Sequence, residues 1–333
     1  MKARRRQDID VSIVIVSYNV ATVLDECLAS IRKETTVPYE ILVVDNASSD
    51  RSAAIVQERY PEATLIRNRV NAGFARANNQ AIREARGRYL LLLNPDTLVL
   101  DGAVDRLVRF MDLHPDAGAC GPRNLNPDGT LQHNCHCFPT LFLRLVEHLQ
   151  LQRLYPHNRV YGREHLTYWD FESVRSVDWI TGCSLMIRRP ALHSVGLLDE
   201  NYFMYSEEVD FCYRLKKAGW KVLFNPDASI VHYGGQSALH QAQERVFARS
   251  IVTNLFQSRY YFFRKNYGPA SYLGLRTLDL IYFAAVYLKN LARTDPEARS
   301  RKLAEYGTIL RFIASPKMPL GRMPLGGKDS PPP

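Results

Sequence analysis

Apolar residues come along this chain in short unbroken bursts, not at alternate positions. "VSIVIVSYN" from Val11, "YEILVVDNASSD" from Tyr39 and "YLLLLNPDT" from Tyr89 each end abruptly in amides, acids or proline, and "ATLIRN" is a shorter run of the same kind. Continuous bursts suit strands covered on both faces, as in a parallel sheet packed between helices. Between them, "VATVLDECLASIRKE" and "NAGFARANNQAIREARG" carry apolar residues at helical spacing, and Gly87 suits the C′ position of the second helix. Repeated β-then-α units predict an α/β fold with a doubly wound, mostly parallel sheet.

From Gly118 to about Val177 the pattern weakens into turn-rich sequence, read as an irregular insertion that shapes a site. "VDWITGCSLMIRR" (Val177 to Arg189) then predicts one buried strand. "YSEEVDFCYRLKKAG" predicts a helix capped by Ser206, with acids in its first turn and bases in its last. "WKVLFNPDASIVHYGG" reads as a short strand pair, and the rest as helices. The expected organisation is one main domain over 1–235 (halves 10–120 and 121–235), a helical region over 236–318 and a disordered tail over 319–333.

Composition narrows the partners. A net charge of +9 over 333 residues, with "KARRR" at Lys2 to Arg6, suits anionic partners. No basic-aromatic motif supports nucleic-acid binding. Six cysteines make no disulfide scaffold and no apolar leader opens the chain, so a cytoplasmic protein is expected. The greasiest window, Tyr272 to Ala292, is interrupted by Arg276, Asp279 and Lys289. Its unbroken apolar core is too short to span a bilayer, and the window reads as an amphipathic helix, packed on a neighbour or lying on a membrane surface. "HNCHCF" crowds its ligands too closely to wrap one zinc ion.

Candidate chemistry lies where the bursts break. Tyr18 and Asn19, Asp45 and Asn46, Asn94 and Asp96, and later His232 all follow apolar strands. Ligands of open α/β sheets gather at such strand ends, although turns attract Asn and Asp for their own reasons. Asp96 is placed either to cap the next helix or to meet a ligand. The chain has neither a dinucleotide-binding glycine fingerprint nor a P-loop, so a nucleotide's phosphates would need another cradle, such as a divalent metal on Asp96. Glu207, Glu208 and Asp210 put three carboxylates within four residues, more than helix capping requires.

The succession "SIVIVSYN", "ILVVDNASSD", "NAGFARANNQAI", "LLLNPDT", "WITGCSLMIRR" and "YSEEVDFCYRLKKAGW" resembles the inverting GT-A glycosyltransferases of glycosyltransferase family 2, in the rhamnosyltransferase-like branch. The resemblance spans roughly 10–237. It implies transfer of a sugar from a nucleoside diphosphate, dTDP-rhamnose before a UDP-hexose, to a hydroxyl of a glycan or lipid-linked acceptor in cell-surface polysaccharide synthesis. It places the nucleotide against Ser17, Tyr18, Asn19, Asp45, Asn71, Gly73, Arg76 and Asn94, and Mg²⁺ or Mn²⁺ on Asp96 and His232. Glu208 becomes the catalytic base with Asp210 as the alternative, while Trp179, Gly182 and Glu207 face the acceptor. The C-terminal helices would hold the enzyme peripherally on the inner face of the plasma membrane. Two positions depart from the family pattern: Asn94 replaces the first acid of the metal motif, and Glu208 replaces the usual aspartate. A catalytically silent nucleotide-sugar-binding domain is therefore one alternative. A sugar-nucleotide pyrophosphorylase is the other, although "SYNVAT" is not the glycine- and arginine-rich loop it needs.

Overall fold

The structure is a computed structural model that describes residues 9–234 and 245–315. The basic "KARRR", the boundary near 235 and the tail over 319–333 lie outside the described residues. In chain order, the strands are β1 (Val11–Ser17), β2 (Tyr39–Asp45), β3 (Thr64–Arg67), β4 (Tyr89–Leu93), β5 (Thr97–Val99), β6 (Ala117–Leu125), β7 (Leu131–Gln132), β8 (Cys135–His136), β9 (Arg175–Val177), β10 (Trp179–Ile180), β11 (Ser184–Arg188) and β12 (Lys221–His232). The helices are α1 (Ala21–Glu34), α2 (Ser52–Arg59), α3 (Phe74–Glu84), α4 (Ala103–Leu113), α5 (Leu141–His148), α6 (Leu151–Leu154), α7 (Arg189–Val195), α8 (Glu207–Lys217), α9 (Arg245–Leu291) and α10 (Pro296–Ala314).

One large sheet runs in the order β3-β2-β1-β4-β11-β6-β12-β5, and β8 pairs with β10 in a small second sheet. The β3-β2-β1-β4 half is parallel throughout, with Ser17 level with Asp45 at the ends of β1 and β2. β11 enters antiparallel to β4. The leucine burst is explained by its two faces. Leu90 and Leu92 pack with α3, α7 and α8, while Leu91 and Leu93 pack with α1 and α4. Burying all four contributes roughly 1.5–3 kcal/mol each and pins the end of β4 in place.

Three local expectations give way. Val177 to Arg189 is not one strand: β9, β10 and β11 are separate, and Gly182 lies in the break before β11. The predicted strand pair near the end of the domain is a single strand, β12, whose pairing slips between Asn225 and Ser229, so "NPDA" makes a bulge where it reads as a turn. Gly87 does not end α3, which is followed by Ala85 in extended conformation. It is instead a close-approach position: a Cβ there would lie 2.5 Å from the Ser12 amide nitrogen. α9 comprises two helical segments that meet at Gly268, whose backbone is non-helical (φ +87°), with Pro269 next to it. No helix among the described residues is long and apolar enough to cross a membrane.

Candidate active site

The strand ends meet at a two-residue bridge, Gly182-Cys183. The Cys183 carbonyl accepts the Asn94 N–H at 2.9 Å, just past β4. On the other side, a Cβ on Gly182 would lie 3.6 Å from the Glu208 Cβ and 3.6 Å from the Phe74 ring. The β4 end, the start of α3 and the acidic start of α8 therefore share one neighbour.

The β4 end carries the candidate metal ligands. Asp96 is buried, and its Oδ1 lies 3.4 Å from His232 Nε2 at the end of β12. Gln132 Oε1 lies 2.7 Å from His232 Nδ1. An N–H donated there leaves Nε2 facing Asp96, the usual arrangement by which an outer partner orients a metal-ligating imidazole. Gln132 is itself held by Asn126 and by the His232 carbonyl. Burial works against a charge on His232, but the Cys183 sulfur and Asp96 outweigh it and lift the imidazole to about 10. Burial likewise opposes ionisation of Cys183, and the His232 charge draws its thiol below the ordinary range. A divalent cation would displace the Nε2 proton, and the donor set then fits it, because the 3.4 Å between Asp96 Oδ1 and His232 Nε2 is close to the ~3 Å edge of an octahedral shell. Among the described residues no group of three or more His, Cys, Asp or Glu side chains is arranged to hold a metal ion, so such an ion would need ligand oxygens to complete its shell. Asn94 Nδ2 lies 3.5 Å from His232 Nε2 at the same edge.

The rim at the ends of β1 and β2 is built around Asn46. Its amide oxygen accepts from Asn68 and from the Ala72 N–H, and its amide nitrogen donates to Asn71 Oδ1 at 2.8 Å. Asn71 also takes the Gly73 N–H. Asn71 thus shapes the loop that leads to Gly73, where φ is +82° and a Cβ would lie 2.5 Å from the Phe203 carbonyl oxygen. Asn19 sits at φ +55° and its amide oxygen accepts the Ser49 N–H, tying the loops after β1 and β2 together beneath the half-buried Tyr18. Ser17 Oγ and Asp45 Oδ1, level with each other, are buried without a hydrogen-bond partner among the described residues. So is Arg76 Nη1, on the first turn of α3, whose Nε faces Glu200 at 3.8 Å. Buried polar atoms are nearly always paired, so three orphans along one rim point to a polar ligand.

Across the bridge, Tyr205 and Ser206 both adopt left-handed backbone, at φ +71° and +66°. The Ser206 hydroxyl makes no cap, contrary to the sequence expectation. Two such residues cost about 1–3 kcal/mol each and concentrate where a site needs them. They aim Glu207 and Glu208 inward from the start of α8. One oxygen of each carboxylate is buried without a hydrogen-bond partner among the described residues. Burial, only partly offset by the Glu208 and Val209 amides, pushes Glu208 up to about 7. Burial and the Glu208 charge push Glu207 up as well.

Asp210 is placed differently. It is fully buried, and Arg214, Lys265 and Asn266 all donate to its carboxylate at 2.9 to 3.0 Å. It serves as a junction between α8 and α9, with no oxygen left over for an acceptor. Trp179 stacks on His136 with ring centroids 4.2 Å apart and donates its indole N–H to the Cys137 carbonyl. Sequence reasoning missed Gln132, Cys183 and Phe203, whose roles depend on contacts between distant segments. Asn46, which follows an apolar burst, stood among the strand-end candidates but was given no role.

Residues 12–168 match the profile of Glycosyl transferase family 2. The chain is 32% identical over 258 residues to the N-acetylglucosaminyl-diphospho-decaprenol L-rhamnosyltransferase of Mycobacterium tuberculosis, covering 73% of this chain and 82% of that protein. It is 28% identical over 212 residues to the low-salt glycan biosynthesis hexosyltransferase Agl10 of Haloferax volcanii, covering 62% of each. Among solved structures, it resembles the mannosyltransferase PcManGT of Pyrobaculum calidifontis in complex with GDP-Man and Mn²⁺, with a TM-score of 0.53, 18% identity and coverage of 93% and 85%. GalNAc-T7 with UDP, GalNAc and Mn²⁺ gives a TM-score of 0.51 at 18% identity, over 68% of this chain and 44% of that one. At this identity the two structures share the fold alone, and that fold is GT-A.

Proposed function

Since the chain belongs to glycosyl transferase family 2, we propose that it is an inverting transferase moving a sugar, with dTDP-rhamnose as first candidate donor, to a hydroxyl of a lipid-linked glycan acceptor. The feature that carries this reading is the Glu208 carboxylate: half-buried, with one oxygen buried and short of a hydrogen bond, lifted to about 7, and set against the only side-chain-free residue of the central bridge. A carboxylate in that state accepts a proton readily near neutral pH. The lesser reach of an aspartate is made up here by the extra methylene, which packs beside Gly182.

Asp45 accepts an N–H of the nucleobase, Tyr18 lies against the base's face, and Arg76 turns its unpaired nitrogen to the diphosphate. Asp96 and His232 would hold Mg²⁺ or Mn²⁺, and when bound that ion supplies positive charge against the leaving diphosphate. The acceptor hydroxyl attacks the anomeric carbon opposite the diphosphate and gives its proton to Glu208. The bond from the anomeric carbon to the diphosphate oxygen breaks as the new C–O bond forms, so configuration inverts without a covalent intermediate. Gly182 leaves room beside Glu208 for the incoming hydroxyl, and Glu207 keeps that end of the cleft polar.

The test is a panel of sugar nucleotides, scored for thermal stabilisation with Mn²⁺ and then for transfer to a prenyl-diphospho-sugar acceptor. Release of nucleoside diphosphate only when acceptor is present supports the proposal. Stabilisation without transfer from any donor, across acceptors, would reduce the protein to a binding domain.

A further inference from the structure

α5 is apolar on two sides. Its inner side buries Leu143 and Val146, and sets Arg144 and His148 on Asp279 of α9 at 2.7 Å. Its outer side carries Leu141, Phe142 and Leu145 and runs on into Leu149, Leu154 and Tyr155, which are between 37% and 68% exposed. A helix on a water-facing surface normally turns polar groups outward there.

α9 repeats the feature beyond Gly268. Leu273, Ile281, Leu288 and Leu291 are exposed. At ~100° per residue they fall within about 80° of one face, away from buried Leu275, Asp279 and Phe283. Ala270, Thr277 and Ala284 occupy the same sector, so it carries no charge over five turns. The two surfaces are continuous, because a Cβ on Gly274 would lie 3.1 Å from Leu141 Cδ1. Charge then selects the partner. The segment 150–163 contains Arg153, Arg159, Arg163 and His157 but no Asp or Glu, and 153–160 are all exposed. Lys289 and Arg293 stand at the far end of the stripe, where exposed Asp295 and Glu297 follow them, so the acid-free border is the one along 150–163. Exposed leucine and phenylalanine bordered by arginine without acids match an anionic bilayer surface, where apolar groups enter the headgroup boundary and cations meet lipid phosphates.

We propose that the outer faces of α5 and α9, with the basic segment between Gln150 and Arg163, dock in the plane of an anionic lipid bilayer. The role of this docking in the reaction rests on the reading of the acceptor as lipid-linked; the surface itself is read from the exposed side chains.

Flotation of the full chain with phosphatidylcholine vesicles, with and without phosphatidylglycerol, tests it. The protein should float with the anionic vesicles and far less with phosphatidylcholine alone. Phe142→Ser/Leu145→Ser/Ile281→Ser should cut partitioning at least about tenfold through lost apolar burial, with the circular dichroism spectrum and the Mn²⁺-nucleotide thermal shift unchanged. Arg153→Gln/Arg159→Gln, at two exposed positions, should abolish the preference for phosphatidylglycerol. Failure of the native chain to float, or undiminished flotation of both variants, overturns the proposal. So does a variant that turns a dimer into a monomer in light scattering without affecting flotation. Transfer to a water-soluble acceptor without flotation sinks the docking alone, whereas flotation without transfer from any donor sinks the transferase reading alone.

Discussion

Lys265 Nζ, on the C-terminal helix α9, lies 2.8 Å from the carboxylate of Asp210 on α8. Asp210 is fully buried, and α8 is the helix that begins with Glu207 and Glu208. The same lysine reaches Asp199 at 2.8 Å, and the Tyr261 hydroxyl donates to Asp199 as well. The helical region thus braces the element that presents the proposed base.

Removing one donor from a buried, charge-assisted bond costs about 1.5–3 kcal/mol. Lys265→Met should lower the urea-unfolding free energy by that amount, because Arg214 and Asn266 still hold Asp210. Asp210→Asn should destabilise the fold and yet retain measurable transfer. Loss of all transfer by a folded Asp210→Asn would return the base role to Asp210.

The raised carboxyl of Glu208 gives two predictions of opposite benefit. Activity requires the ionised form, so the rate should climb as pH rises through about 7 and flatten above it. For stability the sign is reversed. A carboxyl whose folded value is raised binds protons more tightly folded than unfolded, so it costs stability progressively from its ordinary range up to about 7 and fully above it. Glu208→Gln should therefore melt no lower than the native chain at pH 8, and higher relative to it than at pH 5. Differential scanning calorimetry at both values checks this.

β1, β2 and β4 were legible because both sheet faces are covered there, which forces unbroken apolar bursts, and each burst had to stop where a polar rim begins; β3, the edge strand, showed only as a shorter run. Asp45, Asp96 and Glu208 were visible for the same reason, each standing at an element's end. What was not legible arose from contacts between distant segments. "NPDA" reads as a turn by its own chemistry, but pairing with β6 keeps it inside β12 as a bulge. Ser206 has the composition of a cap and is held instead in left-handed backbone. Gln132 owes its position to His232, one hundred residues away.

Gly73 is conformationally obligatory. Gly73→Ala would force a Cβ to 2.5 Å from the Phe203 carbonyl at a positive φ, so it should cost about 1–3 kcal/mol and weaken donor binding more than acceptor binding. Chemical unfolding together with separate KM values for donor and acceptor measures both.

Asp45 Oδ1 has no protein partner among the described residues to lose. Asp45→Asn should leave the melting temperature unchanged or raised, while nucleoside-diphosphate affinity falls about 10- to 100-fold, as expected for a hydrogen bond to a charged group. Isothermal titration calorimetry with the diphosphate alone isolates this term.

The central claim is a division of labour across Gly182-Cys183: cation and diphosphate on the side of Asp96 and His232, proton acceptance on the side of Glu208. It is tested most directly by measuring Mn²⁺-dependent nucleotide binding and sugar transfer in parallel for Asp96→Ala and Glu208→Gln. Asp96→Ala should lose both, and Glu208→Gln should keep the binding and lose the transfer. Transfer at native rate by Glu208→Gln, or undiminished Mn²⁺-dependent binding by Asp96→Ala, would contradict it.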